Sequence, residues 1–238
     1  MLTNSVDGAG ATTKAQPVPE SDLSCIVITG RINMAKRIQQ YGLWKVFAGW
    51  LIALLVASTA VKAFDAASVP ALKRTKLGQY LSSKEAAKFM DQNAPKAMFL
   101  DVRTTAEVAF LGMPVQADAN VPYMKEPDFP VWDGVKGTFK LEPNPDFLPE
   151  VRRRLTAKGL GPDDAIVLIC RSGDRSAAAA NLMAEAGFKN VYSVVDGFEG
   201  DLATGGPKAG QRVVNGWKNA GLPWSYKLDK TKMYRLEN

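Results

Sequence analysis

The sequence predicts an α/β protein with a parallel sheet and helices on both faces of that sheet. Short apolar runs at residues 97–100, 165–169 and 191–195 are typical of buried parallel strands. Stretches with apolar residues at helical spacing lie between them, and strands that alternate with helices favour a parallel sheet. The composition is that of a globular protein, since 46% of the 238 residues are hydrophobic and 23% are charged.

The first half of this pattern begins with a helix that Ser82 or Ser83 can cap and that ends at Asn93. The strand at residues 97–100 runs into Asp101-Val102-Arg103. A short helix is expected to begin at Thr104 or Thr105, with Glu107 in its first turn, and to end before Gly112. Another short strand is expected to end within residues 119–122.

The second half begins with residues 124–146, which are rich in proline and glycine and predict a long loop of the functional type. A helix is expected from Phe147 to a glycine cap at Gly159. The run at 165–169 is the most convincing central strand. Further helices are expected at residues 176–186 and 213–220, and Trp132 and Trp217 are expected to pack in the core or in a lid.

Residues 34–63 predict a secretory signal peptide, because a basic start is followed by an uncharged apolar run and then by small residues. The predicted cleavage follows Ala63, and the expected location is the periplasm or the exterior. The apolar run from Val46 to Val61 has 16 residues, fewer than the roughly 20 that span a bilayer, yet a retained membrane anchor stays open. Residues 1–33 are expected to be a disordered or misassigned extension ahead of a true start at Met34.

The rest of the chain divides into three expected parts. They are a linker at residues 64–80, a catalytic domain at residues 81–226 and a C-terminal tail at residues 227–238.

The residues that are missing limit the possible chemistry. The sequence contains no histidine, which removes Ser–His–Asp and Cys–His catalysis and every histidine-containing metal site. The only cysteines are Cys25 and Cys170, too few for a multi-cysteine metal cluster in one chain. Catalysis must therefore depend on one thiol, carboxylates, arginines or backbone dipoles. No basic surface is predicted that would bind nucleic acid.

A loop around Cys170 has the features of a reactive thiol site. The sequence IVLICRSGDRSAA places Cys170 after a buried strand and before a helix, where open α/β sheets bind ligands. Gly173 lets the loop N–H groups turn inward, the helix N-terminus adds a partial positive charge, and Arg171 and Arg175 add two full ones. These features stabilise a thiolate and form a cradle for an anion. The alternative is a buried cysteine that caps a strand, but the two arginines favour the reactive interpretation.

The heptapeptide from Cys170 to Ser176, CRSGDRS, resembles the active-site loop of the rhodanese family, Cys-Arg-Ser-Gly-x-Arg-Ser. Leu100-Asp101-Val102-Arg103 resembles the first-strand motif of that family, and Asp118-Ala119-Asn120-Val121-Pro122 resembles its Asn-x-Pro segment. Residues 194–198 and 217–223 resemble its two closing motifs. The chain departs from the family pattern in Gly112-Met113-Pro114, in an insertion at 200–216 and in a longer segment at 124–146.

The resemblance implies an open, mostly parallel five-stranded sheet and a thiosulfate:cyanide sulfurtransferase that needs no cofactor or metal. In such an enzyme, the thiolate of Cys170 would take the outer sulfur of thiosulfate or of a persulfide donor, and cyanide or a thiol would accept it. The implied substrate-binding residues are Arg171, Ser172, Gly173, Asp174, Arg175 and Ser176. Asp101 and Arg103 would support the site, with Arg103 expected to pair with Asp101 or Glu107. A monomer is expected.

Three other functions remain for comparison. A persulfide carrier that relays sulfur to a partner protein would have the same sequence features. A non-catalytic interaction module commonly lacks the cysteine or the loop arginines, which this chain retains. Cysteine phosphatases and arsenate reductases resemble His-Cys, five residues and Arg, whereas here Ile169 precedes Cys170 and four residues separate Cys170 from Arg175. The shorter loop suits a sulfur atom better than a tetrahedral phosphate.

Overall fold

The structure, a computed structural model, describes residues 66–235. Its centre is a five-stranded sheet in which every strand pair is parallel. The strands are β1 (Tyr80–Leu81), β2 (Ala97–Asp101), β3 (Ala119–Asn120), β4 (Ala165–Ile169) and β5 (Val191–Val194). They lie in the order β1-β5-β4-β2-β3, so β4 is central. The predicted α/β architecture is confirmed.

Within the described part of the chain, four α-helices cover the sheet: α1 (Ser83–Asn93), α2 (Thr105–Leu111), α3 (Phe147–Ala157) and α4 (Asp174–Glu185). Helices α1 and α2 both begin with a capping box, in which a hydroxyl and a glutamate satisfy N–H groups that the first turn leaves free. Ser82 and Glu85 form the first box, and Thr104 and Glu107 form the second. Short 3₁₀ turns occur at Ala66–Ser68, Ala71–Lys73, Ala94–Lys96, Gly206–Lys208 and Lys230–Lys232.

The two faces of the sheet form separate core layers because successive side chains in a strand point to opposite faces. Met98 of β2 and Leu168 of β4 pack with residues of α3 and α4. Phe99 and Val167, which neighbour Met98 and Leu168 in sequence, point to the other face and pack with residues of α1 and α2. Cys170 follows β4 in this alternation and lies on the α3/α4 side. Cys170 therefore directly follows the central strand of the sheet.

Two segments predicted to lie outside the domain pack against it, which corrects the predicted boundaries. Within the predicted linker, Val69 and Lys73 are buried and Tyr80 belongs to edge strand β1. Within the predicted tail, Lys232 Nζ donates to the carbonyl of Ala117 at 2.8 Å. The folded domain thus extends from about residue 69 to the end of the described chain. Neither contact has a local sequence pattern, because both depend on side chains that are distant in sequence.

The predicted helix at residues 213–220 is wrong, since the chain forms turns there. Gly216 has a φ of +97°, and a Cβ at that position would lie 2.5 Å from the backbone nitrogen of Gly200. The Asn215 side chain accepts the N–H of Asp201 at 2.7 Å. Close backbone contact with residues 200–201 therefore replaces the helix.

Residues 124–143 form a two-stranded excursion that we call the hairpin. Its stalk pairs Met124–Lys125 with Glu142–Pro143, and its tip pairs Trp132–Asp133 with Thr138–Phe139. Trp132 is 58% exposed and therefore does not lie in the core, whereas Trp217 is buried against Phe99 as predicted. One more ladder joins Met113–Pro114 to Trp224–Ser225.

The predicted extension at 1–33, the predicted signal peptide at 34–63 and Cys25 lie outside the described residues. Export of the protein therefore stays a prediction. Among residues 66–235, no helix combines the length and the apolar character needed to cross a bilayer.

Candidate active site

The loop after β4 holds Cys170 at the carboxyl edge of the sheet. The Cys170 Sγ accepts the N–H of Gly173 at 3.1 Å and lies 3.6 Å from Ser176 Oγ. Ser176 Oγ donates to the Gly173 carbonyl at 3.0 Å and is 2.9 Å from Ser193 Oγ. The Gly173 N–H is thus the donor directed at the sulfur, while the Ser176 hydroxyl lies beside the sulfur and donates to the loop backbone. Helix α4 begins at Asp174 and adds its N-terminal dipole.

Cys170 is more deeply buried than its two arginine neighbours suggested. Only 1% of the residue is exposed, and it belongs to the core cluster on the α3/α4 side. The polar contacts all come from the loop side, through Gly173 and Ser176. The sulfur therefore lies at the boundary between an apolar core and a polar loop, and any molecule that reacts with it must approach from the loop side.

Two glycines bring the loop against the segment that follows β5. Gly173 has a φ of +102°, and a Cβ there would lie 2.2 Å from the carbonyl oxygen of Val195. A Cβ on Gly197 would lie 2.6 Å from the backbone of Arg171. The carbonyl of Cys170 accepts the N–H of Phe198 at 2.8 Å. The loop conformation is thus fixed by backbone packing that no side chain at these two positions would permit.

The two loop arginines have different roles in the structure. Arg175 binds Glu107 of α2 with both arms of its guanidinium group, each at 2.6 Å. Burial acts to raise the pKa of Glu107, but the hydrogen bonds and charge of Arg175 outweigh burial and lower that pKa overall. Burial acts to lower the pKa of Arg175, and Glu107 raises it overall. The fork of Arg175 is therefore occupied by a carboxylate of the protein itself.

Arg171, in contrast, is exposed, and its side chain forms no salt bridge with any residue that the structure describes. Its backbone carbonyl accepts the N–H groups of Glu199 and Gly200 at 3.0 and 3.2 Å. The backbone is therefore fixed while the guanidinium group remains available. Of the two predicted anion-binding arginines, Arg171 is the one that can take up a new anion without losing an ion pair.

The insertion at residues 200–216 brings charged groups to the loop that sequence reasoning missed. Arg212 donates to the carbonyl of Gly200 at 2.6 Å. Burial, followed by the nearby positive charge of Arg171, lowers the pKa of Arg212. Lys73 pairs with Asp201 at 2.7 Å, and the Lys73 stem passes beside Gly173. The length of the insertion indicated a reshaped site, but these contacts join residues too far apart in sequence for any local pattern to predict them.

The predicted supporting residues form a buried ion pair at the end of β2. Arg103 Nε donates to Asp101 Oδ1 at 2.9 Å, and both side chains have no exposed surface. Arg103 also donates to the Gly112 carbonyl at 2.8 Å and lies over the Phe198 ring. The side-chain amide of Asn120 donates to both the Asp101 and Arg103 carbonyls. These contacts connect β2 to the segments packed around its end. Of the two expected partners of Arg103, Asp101 and Glu107, the one that Arg103 binds is Asp101.

The remaining loop residues frame the site without further side-chain contacts to the sulfur. Ser172 is partly exposed and Asp174 is exposed at the first turn of α4. Within residues 66–235, no cluster of histidine, cysteine, aspartate and glutamate is arranged to hold a metal ion. The arrangement as a whole offers one sulfur nucleophile, the Gly173 N–H directed at it and an available guanidinium group on Arg171.

Comparisons with known proteins found similar sequences and a similar solved structure. The model of the rhodanese-like domain matches residues 82–203. The chain is 31% identical over 130 residues to an uncharacterized protein, RP600, of Rickettsia prowazekii, covering 55% of this chain and 84% of that protein. It is 33% identical over 109 residues to thiosulfate sulfurtransferase 16, chloroplastic, of Arabidopsis thaliana, covering 46% and 77% of the two chains. The crystal structure of Rv0390 from M. tuberculosis shares 31% identity, covers 63% of this chain and 98% of its own, and superposes with a TM-score of 0.48.

Proposed function

The chain belongs to the rhodanese-like domain family, and from that premise we propose that it is a sulfurtransferase that carries sulfane sulfur as a persulfide on Cys170. The observation that carries the proposal is the Cys170 Sγ, which accepts the Gly173 N–H at 3.1 Å within the loop at the carboxyl edge of the sheet. The similar Arabidopsis thaliana protein is a thiosulfate sulfurtransferase by name, which supports thiosulfate as the donor.

In the proposed reaction, the Cys170 thiolate attacks the outer sulfur of thiosulfate. A new S–S bond forms, the old one breaks, and sulfite leaves with the electron pair of the broken bond. The persulfide that remains carries one negative charge on its outer sulfur, which the dipole at the N-terminus of α4 favours. Cyanide or a thiolate then attacks the outer sulfur and releases the Cys170 thiolate. Proton and electron counts balance without a cofactor.

Arg171 is proposed to bind the anionic end of the donor because its guanidinium group is exposed and unpaired within the described residues. A planar fork of N–H donors matches the oxygens of a sulfonate group. Arg175, which the sequence suggested for the same purpose, is proposed instead to hold α2 against the loop through Glu107. This division assigns one arginine to the substrate and one to the architecture of the site.

Steady-state kinetics test the proposed function. A covalent persulfide forms before the acceptor binds, so double-reciprocal plots for thiosulfate and cyanide should be parallel, as in a ping-pong mechanism. A thiol acceptor should give the same pattern. Absence of sulfite release from thiosulfate, together with absence of thiol release from organic persulfide donors, would contradict the proposal and would favour a non-catalytic interaction module. Sulfite release without turnover by any small acceptor would favour a persulfide relay to a partner protein.

Replacing Arg171 with alanine should reduce kcat/KM for thiosulfate about ten- to a hundredfold, because hydrogen bonds to charged groups contribute about 1.5–3 kcal/mol. The loss should be much smaller with an uncharged trisulfide donor, which has no sulfonate to bind. Arg153→Ala is the matched control, since Arg153 is exposed and pairs with Glu150 on α3. Equal losses with charged and uncharged donors would show that Arg171 does not bind the anion.

A further inference from the structure

The hairpin, residues 124–143, rises from the same edge of the sheet as the active-site loop. It follows β3, which is parallel to β2 and β4, so its base lies at their carboxyl ends. Tyr123 at its base donates to the Val102 carbonyl at 3.1 Å, and Asn144 donates back to the Tyr123 carbonyl at 3.0 Å. The base is thus tied to the sheet, while the tip forms a separate two-stranded ladder.

Five of the twelve large apolar side chains that residues 66–235 leave exposed lie within twelve residues at the tip, 129–140. Val135 at the turn is 98% exposed and Phe129 is 84% exposed. Trp132 and Phe139 pack edge to face across the strands at 5.5 Å, yet each stays more than half exposed. Contiguous exposed apolar surface of this kind marks an interaction site, because soluble proteins rarely leave it uncovered. The aromatic pair is therefore arranged before any partner binds.

The hairpin as a whole has four acids and three lysines, but its charges are unevenly placed, and the tip has more lysines than acids. Between residues 129 and 140 the cations are Lys136 and Lys140, and the single acid is Asp133. Asp133 accepts the N–H groups of Val135 and Lys136, both at 3.1 Å, so its carboxylate is engaged in the turn. In the stalk, Lys125 pairs with Glu142 at 2.9 Å. The acids Glu126 and Asp128 precede the tip on the stalk side. The tip therefore combines exposed aromatic groups with two lysines.

A narrow convex tip of this composition fits a lipid surface better than a protein groove. Stable protein interfaces bury about 800 Å² on each partner over 20–30 residues, and a turn of a dozen residues offers less contact. Tryptophan is enriched at the membrane–water interface, and lysines beside apolar groups are attracted to anionic headgroups.

We propose that the hairpin tip binds the surface of a bilayer that contains anionic lipids. Trp132, Val135 and Phe139 enter the headgroup region, and Lys136 and Lys140 contact lipid phosphates. Because the hairpin and Cys170 share one edge of the sheet, this contact turns the active-site loop toward the membrane. The proposal does not rest on sulfur transfer, since an inactive domain would bind in the same way.

Quenching of Trp132 by brominated lipids tests the proposal in the full chain. The chain has other tryptophans, so the signal of interest is the difference between the wild type and Trp132→Phe. With vesicles of brominated phosphatidylcholine and phosphatidylglycerol, that difference signal should be strongly quenched. Val135→Asp and the double variant Lys136→Glu/Lys140→Glu should each raise the lipid concentration for half-quenching at least fivefold. Thiosulfate turnover by Val135→Asp should equal that of the wild type.

Phe110→Asp is the matched control, because Phe110 is 81% exposed and belongs to α2 rather than to the hairpin. It should leave the half-quenching concentration unchanged. Equal quenching of the wild type and Trp132→Phe would show that Trp132 stays in water and would overturn the proposal. Equal quenching with purely zwitterionic vesicles would overturn the role of the lysines. A dimer in light scattering that Val135→Asp abolishes, without lipid quenching, would show that a second copy of the chain occupies the tip instead.

Discussion

Cys170→Ser should lower the turnover of thiosulfate by at least about a thousandfold, to the uncatalysed background, because Cys170 has the only thiol among residues 66–235 and a serine hydroxyl cannot carry sulfane sulfur. Serine is nearly the same size and keeps the Gly173 N–H partner, so the fold should remain intact. The measurement is the initial rate of thiocyanate formation, with circular dichroism to verify folding.

Cys25→Ser provides the matched control for this variant, since Cys25 is the other cysteine of the chain. It should retain the full rate. Substantial activity in Cys170→Ser would contradict the assignment of the nucleophile. Loss of activity in both variants would indicate that the two thiols act together, as a disulfide-exchange mechanism requires.

Asp101→Ala should lower the free energy of unfolding by about 3–5 kcal/mol, because it leaves the fully buried guanidinium group of Arg103 without its carboxylate. The remaining contacts of Arg103, to the Gly112 carbonyl and the Phe198 ring, do not neutralise the charge. The measurement is equilibrium unfolding in urea. Turnover should fall with stability, since the Asp101 backbone belongs to the strand next to β4.

Asp163→Ala is the control, because Asp163 and Lys189 form an ion pair whose side chains are 73% and 78% exposed. Such pairs contribute about 0–1 kcal/mol. The double variant Asp101→Ala/Arg103→Met should recover part of the loss, since it removes the unpaired charge and leaves an apolar side chain. A cost for Asp101→Ala no larger than that for Asp163→Ala would show that the buried pair does not stabilise the fold.

Features with a local physical cause could be predicted from the sequence. The apolar run at 165–169 predicts a buried central strand, and the structure has that strand at Ala165–Ile169. Capping boxes at Ser82 and Thr104 predict the starts of α1 and α2 because hydroxyl and glutamate stand three positions apart. The loop from Cys170 to Ser176 was recognisable because its glycine, its cysteine and the start of the helix are contiguous in sequence.

Features that depend on distant contacts could not be predicted in this way. The partner of Arg175 is Glu107, which lies on another helix, and the neighbour of Arg171 is Arg212 of the insertion. Strand β1 has two residues, too few to show a period, and exists because it pairs with β5. The segment at 213–220 has helical composition, but backbone contact between Gly216 and Gly200 prevents a helix.

The mass of the protein after exposure to thiosulfate tests the central claim, the persulfide on Cys170, most directly. The account predicts a gain of about 32 Da, one sulfur atom, on the peptide that contains Cys170, together with one equivalent of sulfite. Cyanide should remove the added mass and yield thiocyanate. An unchanged mass with thiosulfate and with organic persulfides, or an adduct on the Cys25 peptide alone, would contradict the account.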